Sequence, residues 1–225
     1  MSANIVVKRF ESVSAFEDRV MDLIKEEALR HTPAPHAIML SGGSTPLAIY
    51  EALAMDPVVA DDSTWITFTD ERFVPFDSDQ SNFGNAEPML DELQIPEEQI
   101  IKIDPSLHIG DAADQLDKDL DNYLESGGTI SLALLGLGAD GHTCSLFEIT
   151  DLQRCLARLA APIYRPDLPN RVSVGPALLE RVDRIVILVK GKEKTAIVER
   201  LLKEPLSTTA GMALRNCKNV ELWQV

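Results

Sequence analysis

The segment Leu134–Glu148, LLGLGADGHTCSLFE, contains the residues whose types and spacing most directly indicate chemistry. Gly136, Gly138 and Gly141 form a G-x-G-x-x-G pattern after an apolar run, a spacing typical of turns that bind dinucleotides. Asp140 and His142 flank the third glycine, and an acid beside an imidazole can transfer protons at neutral pH. The segment therefore predicts either a cofactor-binding turn or an acid–base site.

The acid–base interpretation is favoured. A dinucleotide turn requires its third glycine to lie in a helix that packs on the preceding strand, with an acid near the end of the next strand. Here the sequence Asp140-Gly141-His142-Thr143 interrupts the start of that helix, and no well-placed strand-end acid follows. We therefore expect chemistry at this loop, and no bound cofactor.

A glycine-rich segment, Ser41–Pro46 (SGGSTP), follows a different apolar run and precedes a helical pattern. Gly42 and Gly43 allow a ligand to approach the backbone closely, and Ser44 or Thr45 can cap the helix. A loop of this kind presents unpaired N–H groups to an anion, so phosphate is the natural ligand, although a plain strand–turn–helix connection has a similar sequence.

Charged residues follow two more apolar runs. Asp70, Glu71 and Arg72 come directly after one run, and Lys194 follows another within Gly191–Thr195. Taken singly, such residues are often surface ion pairs or solvated side chains. Taken together with the loop of His142, they predict an acid–base site in which the carboxylate of Asp70 or Asp140 assists His142. The basic residues supply cations to bind a phosphate.

The elements that must position these residues are strands of a mainly parallel sheet. Four apolar runs have the length and composition of buried strands, and helical patterns lie between them: 36–40, 65–69, 130–135 and 184–189. This order predicts a three-layer α/β/α, Rossmann-like fold. In such sheets ligands bind outside the carboxyl ends of the strands, so we expect one crevice to collect the loops described above.

Two helices are predicted outside these loops. Ser14-x-x-Glu17 is a capping-box pattern that predicts a helix to about Arg30. The acids of Asp114–Glu125 suggest a calcium loop, but the glycine at its sixth position is missing, and Leu116, Leu120 and Leu124 repeat every four residues. This segment is predicted to be an amphipathic helix with an acidic face.

Composition restricts the class of protein. The net charge is −15, from 36 acidic and 21 basic residues, which argues against nucleic acid as a partner. Three cysteines without C-x-x-C spacing do not predict disulfides or a structural metal site. Because no signal peptide or membrane-length apolar run is evident, we expect a cytoplasmic protein that does not bind membranes.

Several motifs, in order, resemble those of the 6-phosphogluconolactonases: SGGSTP, TDERFVP, SNFGNA, GLGADGHTCSLF and RVSVGPALLERVDRIVILVKGKEKT. The resemblance extends from about Ser41 to the C-terminus, so we expect one domain over residues 1–225. It implies a Rossmann-like fold and hydrolysis of 6-phospho-D-glucono-1,5-lactone in the pentose phosphate pathway. It also implies no metal or organic cofactor, and leaves the oligomeric state open between monomer and homodimer.

The resemblance also implies roles for individual residues. His142 matches the histidine proposed as the general base for the attack of water on the lactone, a task that suits an imidazole with an unperturbed pKa near ~6.5. Arg72, Lys194 and Arg171, together with Gly42, Gly43, Ser44 and Thr45, would bind the phosphate. Asp70 and Asp140 would orient His142 or the sugar hydroxyls. The family commonly has a proline after SLF, where this chain has Glu148.

Three alternatives remain to be compared with this prediction. Glucosamine-6-phosphate deaminases resemble this chain but carry a catalytic carboxylate five residues after the histidine, where Phe147 stands here. A cysteine hydrolase would use Cys144 with His142, although residues two apart seldom reach nucleophile–base geometry. A non-catalytic protein that binds a sugar phosphate would need only the phosphate site.

Overall fold

The computed structural model describes residues 4–225, and its centre is a parallel sheet. Among these residues the sheet has seven strands in the order β1-β10-β9-β6-β2-β3-β5. Their bounds are Ile5–Arg9 (β1), His36–Leu40 (β2), Thr64–Phe68 (β3), Ile100–Ile101 (β5), Thr129–Gly136 (β6), Ile185–Val189 (β9) and Val220–Gln224 (β10). Every pairing between neighbouring strands is parallel.

A second, smaller sheet is antiparallel and has the order β4-β8-β7. Its strands are Asp70–Arg72 (β4), Ala160–Ile163 (β7) and Arg171–Val174 (β8). Thr69 connects β3 to β4, so the chain passes from one sheet directly into the other. The small sheet therefore begins where β3 leaves the large sheet, at the carboxyl end of β3.

Helices cover both faces of the large sheet and produce two cores. One face packs against α1 (Val13–Ala28), α2 (Ser44–Met55) and α3 (Asn82–Glu92). The other face packs against α4 (Ile109–Glu125), α5 (Ile149–Arg154), α6 (Pro176–Leu179), α7 (Thr195–Lys203) and α8 (Thr209–Ala213). Strand β2 shows the division, because Ala37 and Met39 face the second core while Ile38 and Leu40 face the first.

This arrangement confirms the predicted three-layer α/β/α fold with a mainly parallel sheet. The four predicted strands are β2, β3, β6 and β9, each within one residue of its expected bounds. The acidic segment 114–125 belongs to helix α4, where Leu116 and Leu120 are buried. In residues 4–225, no helix is long and apolar enough to cross a membrane.

Two predicted helix caps are wrong in detail. The N-cap of α1 is Ser12 and not Ser14, because the Ser12 hydroxyl accepts a hydrogen bond from the N–H of Ala15. The N-cap of α2 is Gly43 and not Ser44 or Thr45, and its φ of 106° explains why glycine occupies this position. Both helices therefore begin one or two residues earlier than the sequence patterns predict.

Candidate active site

The carboxyl ends of β9, β6, β2 and β3, which are consecutive in the sheet, open into one cavity of about 290 Å³. The segment that follows each strand lines part of this cavity. The lining residues are Ser41–Pro46 after β2, Asp70 and Arg72 after β3, Gly136–Gly138 and His142 at and after the end of β6, and Lys190 and Lys194 after β9. Segments that are distant in the sequence thus meet in one crevice, as expected at the carboxyl edge of a parallel sheet.

His142 forms the central acid–base unit of this cavity with Asp140. Nδ1 of His142 lies 2.5 Å from Oδ1 of Asp140, and the backbone N–H of His142 donates to the same oxygen at 3.2 Å. A carboxylate accepts hydrogen bonds, so Nδ1 carries the proton and the lone pair is on Nε2. The geometry therefore leaves His142 with one ring nitrogen free to accept a proton.

The Asp140 carboxylate remains ionised beside this imidazole. Partial burial acts to raise the pKa of Asp140, but the hydrogen bonds and charge of His142 outweigh it and hold the pKa below its ordinary value. Asp140 itself does not line the cavity, and its side chain is 59% exposed against 25% for His142. Within residues 4–225, its contact with the cavity runs through the His142 ring.

Backbone contacts fix the loop that carries His142. The N–H of Gly138 donates to the carbonyl of His142 at 2.8 Å, and the Thr143 hydroxyl donates to the carbonyl of Gly136 at 2.9 Å. Gly141 has a φ of 93°, and a Cβ atom at Gly138 would collide with the imidazole and with Asp140. Within the glycine pattern, Gly138 therefore makes room for the Asp140–His142 pair, and Gly141 adopts a backbone conformation that favours glycine.

Asp70 is held in the cavity by two hydroxyls. Ser145 donates to Oδ2 of Asp70 at 2.6 Å, and Thr69 donates to Oδ1 at 2.8 Å. The N–H of Ser145 in turn donates to the Ser173 hydroxyl at 3.1 Å. The Asp70 carboxylate is therefore ordered by the loop of His142, although no hydrogen bond joins it to His142 within the described part of the chain.

The glycine-rich loop lies against Asn82 at the start of α3. Nδ2 of Asn82 donates to the carbonyl of Asp70 at 2.8 Å, and the rest of the amide occupies the space that a Cβ at Gly42 would need. Tyr50 of α2 donates to the carbonyl of Ser41 at 2.9 Å. Gly42 is thus required by the close approach of Asn82. The first residues of α2, whose N–H groups have no partner within the helix, line the cavity.

Glu71 anchors the loop between β4 and α3 from inside the protein. Its carboxylate accepts from the N–H groups of Arg72, Asn82 and Phe83, each at 2.7 Å. Burial raises the pKa of Glu71, and these three hydrogen bonds only partly offset the effect. The side chain is 4% exposed and does not line the cavity, so its function is to position Asn82 and Arg72.

The predicted phosphate ligands are only partly brought together. Gly42, Gly43, Ser44, Thr45, Arg72 and Lys194 all line the cavity. Lys194 donates to the carbonyl of Leu137 at 2.9 Å, and Arg72 donates to the carbonyl of Gln80 at 2.7 Å. Arg171 does not line the cavity but lies directly opposite Arg72 in the small sheet.

Three residues of the site, Thr69, Ser145 and Asn82, were not predicted as site residues. They lie within or beside the motifs quoted above, but a serine or asparagine there carries no charge or spacing that singles it out. Their position in the sequence was the one signal that could have identified two of them, since Ser145 follows His142 closely and Asn82 begins a helix after Asp-Glu-Arg. Their roles depend on contacts between distant loops.

The geometry argues against a cysteine nucleophile. Cys144 lines the cavity with a φ of 52°, and both burial and the nearby Asp70 carboxylate raise the pKa of its thiol well above its ordinary value. In the described part of the chain no hydrogen bond joins this thiol to His142. A protonated thiol without a base is a poor nucleophile.

Phe147 occupies the position at which the related deaminases have a carboxylate. Its ring centroid lies 4.3 Å from that of His142, so an apolar group covers this side of the imidazole. The segment 142–147 is not helical. Glu148 is the N-cap residue of α5 and does not line the cavity.

Comparison with known proteins gives a consistent family assignment. The family model of glucosamine-6-phosphate isomerases/6-phosphogluconolactonase matches residues 9–222. The chain is 33% identical over 179 residues to the 6-phosphogluconolactonase of Rattus norvegicus, which covers 75% of this chain and 69% of that protein. It is 34% identical over 181 residues to that of Homo sapiens, covering 76% and 70% of the two chains.

Solved structures agree with the sequence comparison. A crystal structure of 6-phosphogluconolactonase from Thermotoga maritima superposes with a TM-score of 0.82 at 29% identity and covers 99% of both chains. A 6-phosphogluconolactonase from Trypanosoma cruzi superposes with a TM-score of 0.83 at 26% identity, covering 100% of this chain and 95% of that one. The chain therefore belongs to the family of glucosamine-6-phosphate isomerases and 6-phosphogluconolactonases.

Proposed function

We propose that this chain hydrolyses 6-phospho-D-glucono-1,5-lactone to 6-phosphogluconate, the lactonase step of the oxidative pentose phosphate pathway. The relatives named 6-phosphogluconolactonase support this substrate. The observation that carries the proposal is the His142 imidazole, which faces the cavity with Nδ1 bound to Asp140 and Nε2 free. This arrangement suits removal of a proton from water.

In the proposed reaction, Nε2 of His142 takes a proton from a water molecule as its oxygen attacks C1 of the lactone. Asp140 stabilises the imidazolium that forms, because its carboxylate remains ionised. A positioned base of this kind contributes about 10²–10⁴-fold to the rate. His142 is therefore the general base in this mechanism, and Asp140 orients it.

The tetrahedral intermediate then breaks the bond between C1 and the ring oxygen. The imidazolium of His142 returns its proton to that oxygen, which becomes the hydroxyl of the open chain. The carboxylic acid formed at C1 ionises and releases a proton to solvent. Backbone N–H groups of the glycine loops are suited to stabilise the negative oxygen of the intermediate, since donors aimed at developing charge lower the barrier.

The phosphate of the substrate would bind at the cationic part of the cavity. Lys194 and Arg72 line it from opposite loops, and the first turn of α2 adds the N–H groups of Ser44 and Thr45. Helix N-termini and guanidinium groups both favour phosphate oxygens. These cations also draw an anion toward a chain whose net charge is −15.

A deaminase is the nearest alternative in the same family, and Phe147 argues against it. An apolar ring beside His142 cannot serve as the catalytic carboxylate that the deaminases carry at this position. Of the two carboxylates that line the cavity within residues 4–225, Asp70 is bound by Ser145 and Thr69, and Glu193 belongs to the loop after β9, so neither stands at the deaminase position. We therefore expect no release of ammonia from glucosamine 6-phosphate.

The proposal can be tested by generating the δ-lactone in place with glucose-6-phosphate dehydrogenase and following acid release at pH 7. Wild-type protein should exceed the spontaneous rate, and His142→Asn should lower the enzymatic rate about 10²–10⁴-fold. His31→Asn is a matched control, because His31 also contacts an aspartate, Asp61, at 3.0 Å but lies on the surface. It should retain wild-type activity.

The contrary results are equally definite. A wild-type rate no higher than the spontaneous one would exclude the lactonase function. Full activity in folded His142→Asn would exclude His142 as the base. Ammonia release from glucosamine 6-phosphate by the wild-type protein would favour the deaminase instead.

A further inference from the structure

A second cavity, of about 390 Å³, lies at the edge of the large sheet that ends with β5, and it is called here the Trp65 groove. Strands β3 and β5 form one side of the groove and the last two turns of α4 form the other. Its lining includes Trp65, Ile100, Asn122, Tyr123 and Ser126. Trp65 is at the amino end of β3, whereas the active-site cavity opens at the carboxyl ends of the strands. No described residue lines both cavities, so the Trp65 groove is a separate place on the molecule.

Two aromatic rings form the rigid wall of the groove. The ring centroids of Trp65 and Tyr123 lie 5.2 Å apart, and their planes are inclined by 43°. Tyr123 is fixed, because its hydroxyl donates to the carbonyl of Thr129 at 2.9 Å and a Cβ atom at Gly128 would lie only 2.5 Å from its ring. Tyr123 is buried, whereas Trp65 is only partly buried. The indole ring of Trp65 is therefore held in place and still open to the groove.

The groove carries negative charge. Glu98, which precedes β5 and is exposed, and Asp119 of α4, which is half-buried, both line it. Neither carboxylate forms an ion pair within residues 4–225. The side-chain amide of Gln115 donates to Asp119 at 2.8 Å and orders it. Helix α4 also ends here, at Ser126, without a basic residue in its last turn, so the negative end of its dipole has no cation beside it in the helix.

Lys102 is the one basic residue among the described lining residues, and its charge is used elsewhere. Its Nζ forms an ion pair with Glu97, and it lies 4.1 Å from the centroid of the Phe83 ring and 5.6 Å from that of Phe76. Phe83 belongs to the core on the face of the sheet that α1, α2 and α3 cover, whereas α4 bounds the groove on the opposite face. Lys102 therefore does not neutralise the carboxylates of the groove.

An aromatic ring beside carboxylates selects one class of ligand. The face of an indole ring is electronegative and attracts organic cations, and this attraction grows where water is excluded. An anion would be repelled by the two carboxylates, and a neutral ligand would gain nothing from their charge. The volume of the groove is also within the range of about 300–1,000 Å³ that is usual for small-molecule sites.

We propose that the Trp65 groove binds an organic ammonium ion, with its alkylated ammonium group over the indole ring of Trp65 and beside the carboxylates of Glu98 and Asp119. The inference goes beyond the lactonase function and does not depend on it, because the groove and the active-site cavity share no described residue.

The test is an NMR titration of the folded, isotopically labelled protein with choline and, separately, with 3,3-dimethyl-1-butanol, which has nearly the same shape but no charge. Choline should move the indole N–H signal of Trp65 saturably and leave that of Trp223, which is 0% exposed, unchanged. The uncharged alcohol should bind about tenfold more weakly or less, because it lacks the attraction to the ring and the carboxylates. Sodium chloride at the same concentrations gives the effect of ionic strength alone.

Two variants test the two parts of the site. Asp119→Asn should weaken choline binding about threefold and leave binding of the alcohol unchanged, because only the charged ligand uses the carboxylate. Asp111→Asn is the matched control, since Asp111 lies in the first turn of the same helix, carries the same charge and does not line the groove. Trp65→Leu, which keeps an apolar side chain but no ring, should reduce choline affinity to about that of the alcohol, as read from the backbone signals of Asn122 and Ser126.

Four results would overturn the proposal. They are equal binding of choline and the alcohol to wild type, no effect of choline on the Trp65 signal beyond that of sodium chloride, wild-type choline affinity in folded Trp65→Leu, and equal losses in Asp111→Asn and Asp119→Asn. The last result would mean that choline responds only to the overall charge of −15. Asp119 lies outside the buried cores, so the test does not depend on whether Trp65→Leu folds.

Discussion

The Ser145 hydroxyl donates a 2.6 Å hydrogen bond to Asp70 and thereby joins the loop after β6 to the connection between β3 and β4. Asp70 lines the cavity, whereas Ser145 is only 1% exposed and lies behind it. Ser145 is three residues from His142, so the same loop that carries the base also orders the second carboxylate. The two halves of the site are coupled through this contact.

Ser145→Ala should lower kcat/KM about tenfold, because Asp70 loses its shortest hydrogen bond, and should cost about 1 kcal/mol in the free energy of unfolding. Steady-state lactone hydrolysis and urea unfolding measure the two effects. Ser131→Ala is the control, since the Ser131 hydroxyl is also buried and donates to the carbonyl of Ala37 at 3.3 Å, far from the cavity loops. Equal losses of activity in the two variants would show that Ser145 has no specific role.

Gly138→Ala should reduce kcat/KM about a hundredfold, because the added methyl group would collide with the His142 ring and the Asp140 carboxylate and displace the base. Lactone hydrolysis measures the loss. Gly110→Ala provides the comparison, since a Cβ at this position near the start of α4 meets no atom within 4 Å. Activity near the wild-type value in a folded Gly138→Ala variant would contradict the crowding described at His142.

Glu71 should make stability depend on pH in a defined direction. Burial raises the pKa of Glu71 above its unfolded value, so the folded state binds this proton more tightly and stability falls as pH rises through the folded pKa. Glu71→Gln cannot titrate and replaces an acceptor by an amide that faces backbone N–H groups.

The free energy of unfolding of the Glu71→Gln variant should therefore be lower than that of wild type by about 1–3 kcal/mol. The difference between the two proteins should be larger at pH 4 than at pH 7. Urea unfolding across this range gives the measurement. A difference that grows with pH would mean that Glu71 has a lowered pKa instead.

Cys144 should react slowly with iodoacetamide at pH 8, because burial and Asp70 raise the pKa of its thiol and keep it protonated. Cys144→Ala should retain activity within about tenfold of wild type, whereas removal of a covalent nucleophile would cost far more. Mass spectrometry of the native and the unfolded protein measures the alkylation. Rapid modification of native Cys144 together with complete loss of activity would restore the cysteine-hydrolase alternative.

The sequence patterns predict the part of the fold that depends on local composition. Strands β2, β3, β6 and β9 are uninterrupted apolar runs, and their loops carry the charged residues that the structure collects in one cavity. The positions of His142, Asp140 and Lys194 follow from a general property of parallel sheets, which places all strand ends at one edge.

Other features depend on contacts between distant segments. The small antiparallel sheet pairs β4 with β8, which lie about a hundred residues apart in the sequence, and neither is a long apolar run. Arg171 is beside Arg72 and not in the cavity lining because of this pairing. The contacts of Asn82 with Gly42 and of Ser145 with Asp70 likewise require the assembled fold. The capping-box pattern at Ser14 points to the wrong serine, because Ser12, which is followed three residues later by Ala15 and not by a glutamate, caps the helix.

The position of β1 has a consequence for how the protein is made on the ribosome. Among residues 4–225, β1 pairs in the large sheet only with β10, so that Ile5 is opposite Val220. Strand β1 leaves the ribosomal tunnel long before β10 is made, so β1 and the helix α1 that follows it must wait for β10 before β1 can pair in this sheet. The edge of the sheet at β9 stays open until β10 arrives, which leaves an unpaired strand available to chaperones, or to other nascent chains, during synthesis.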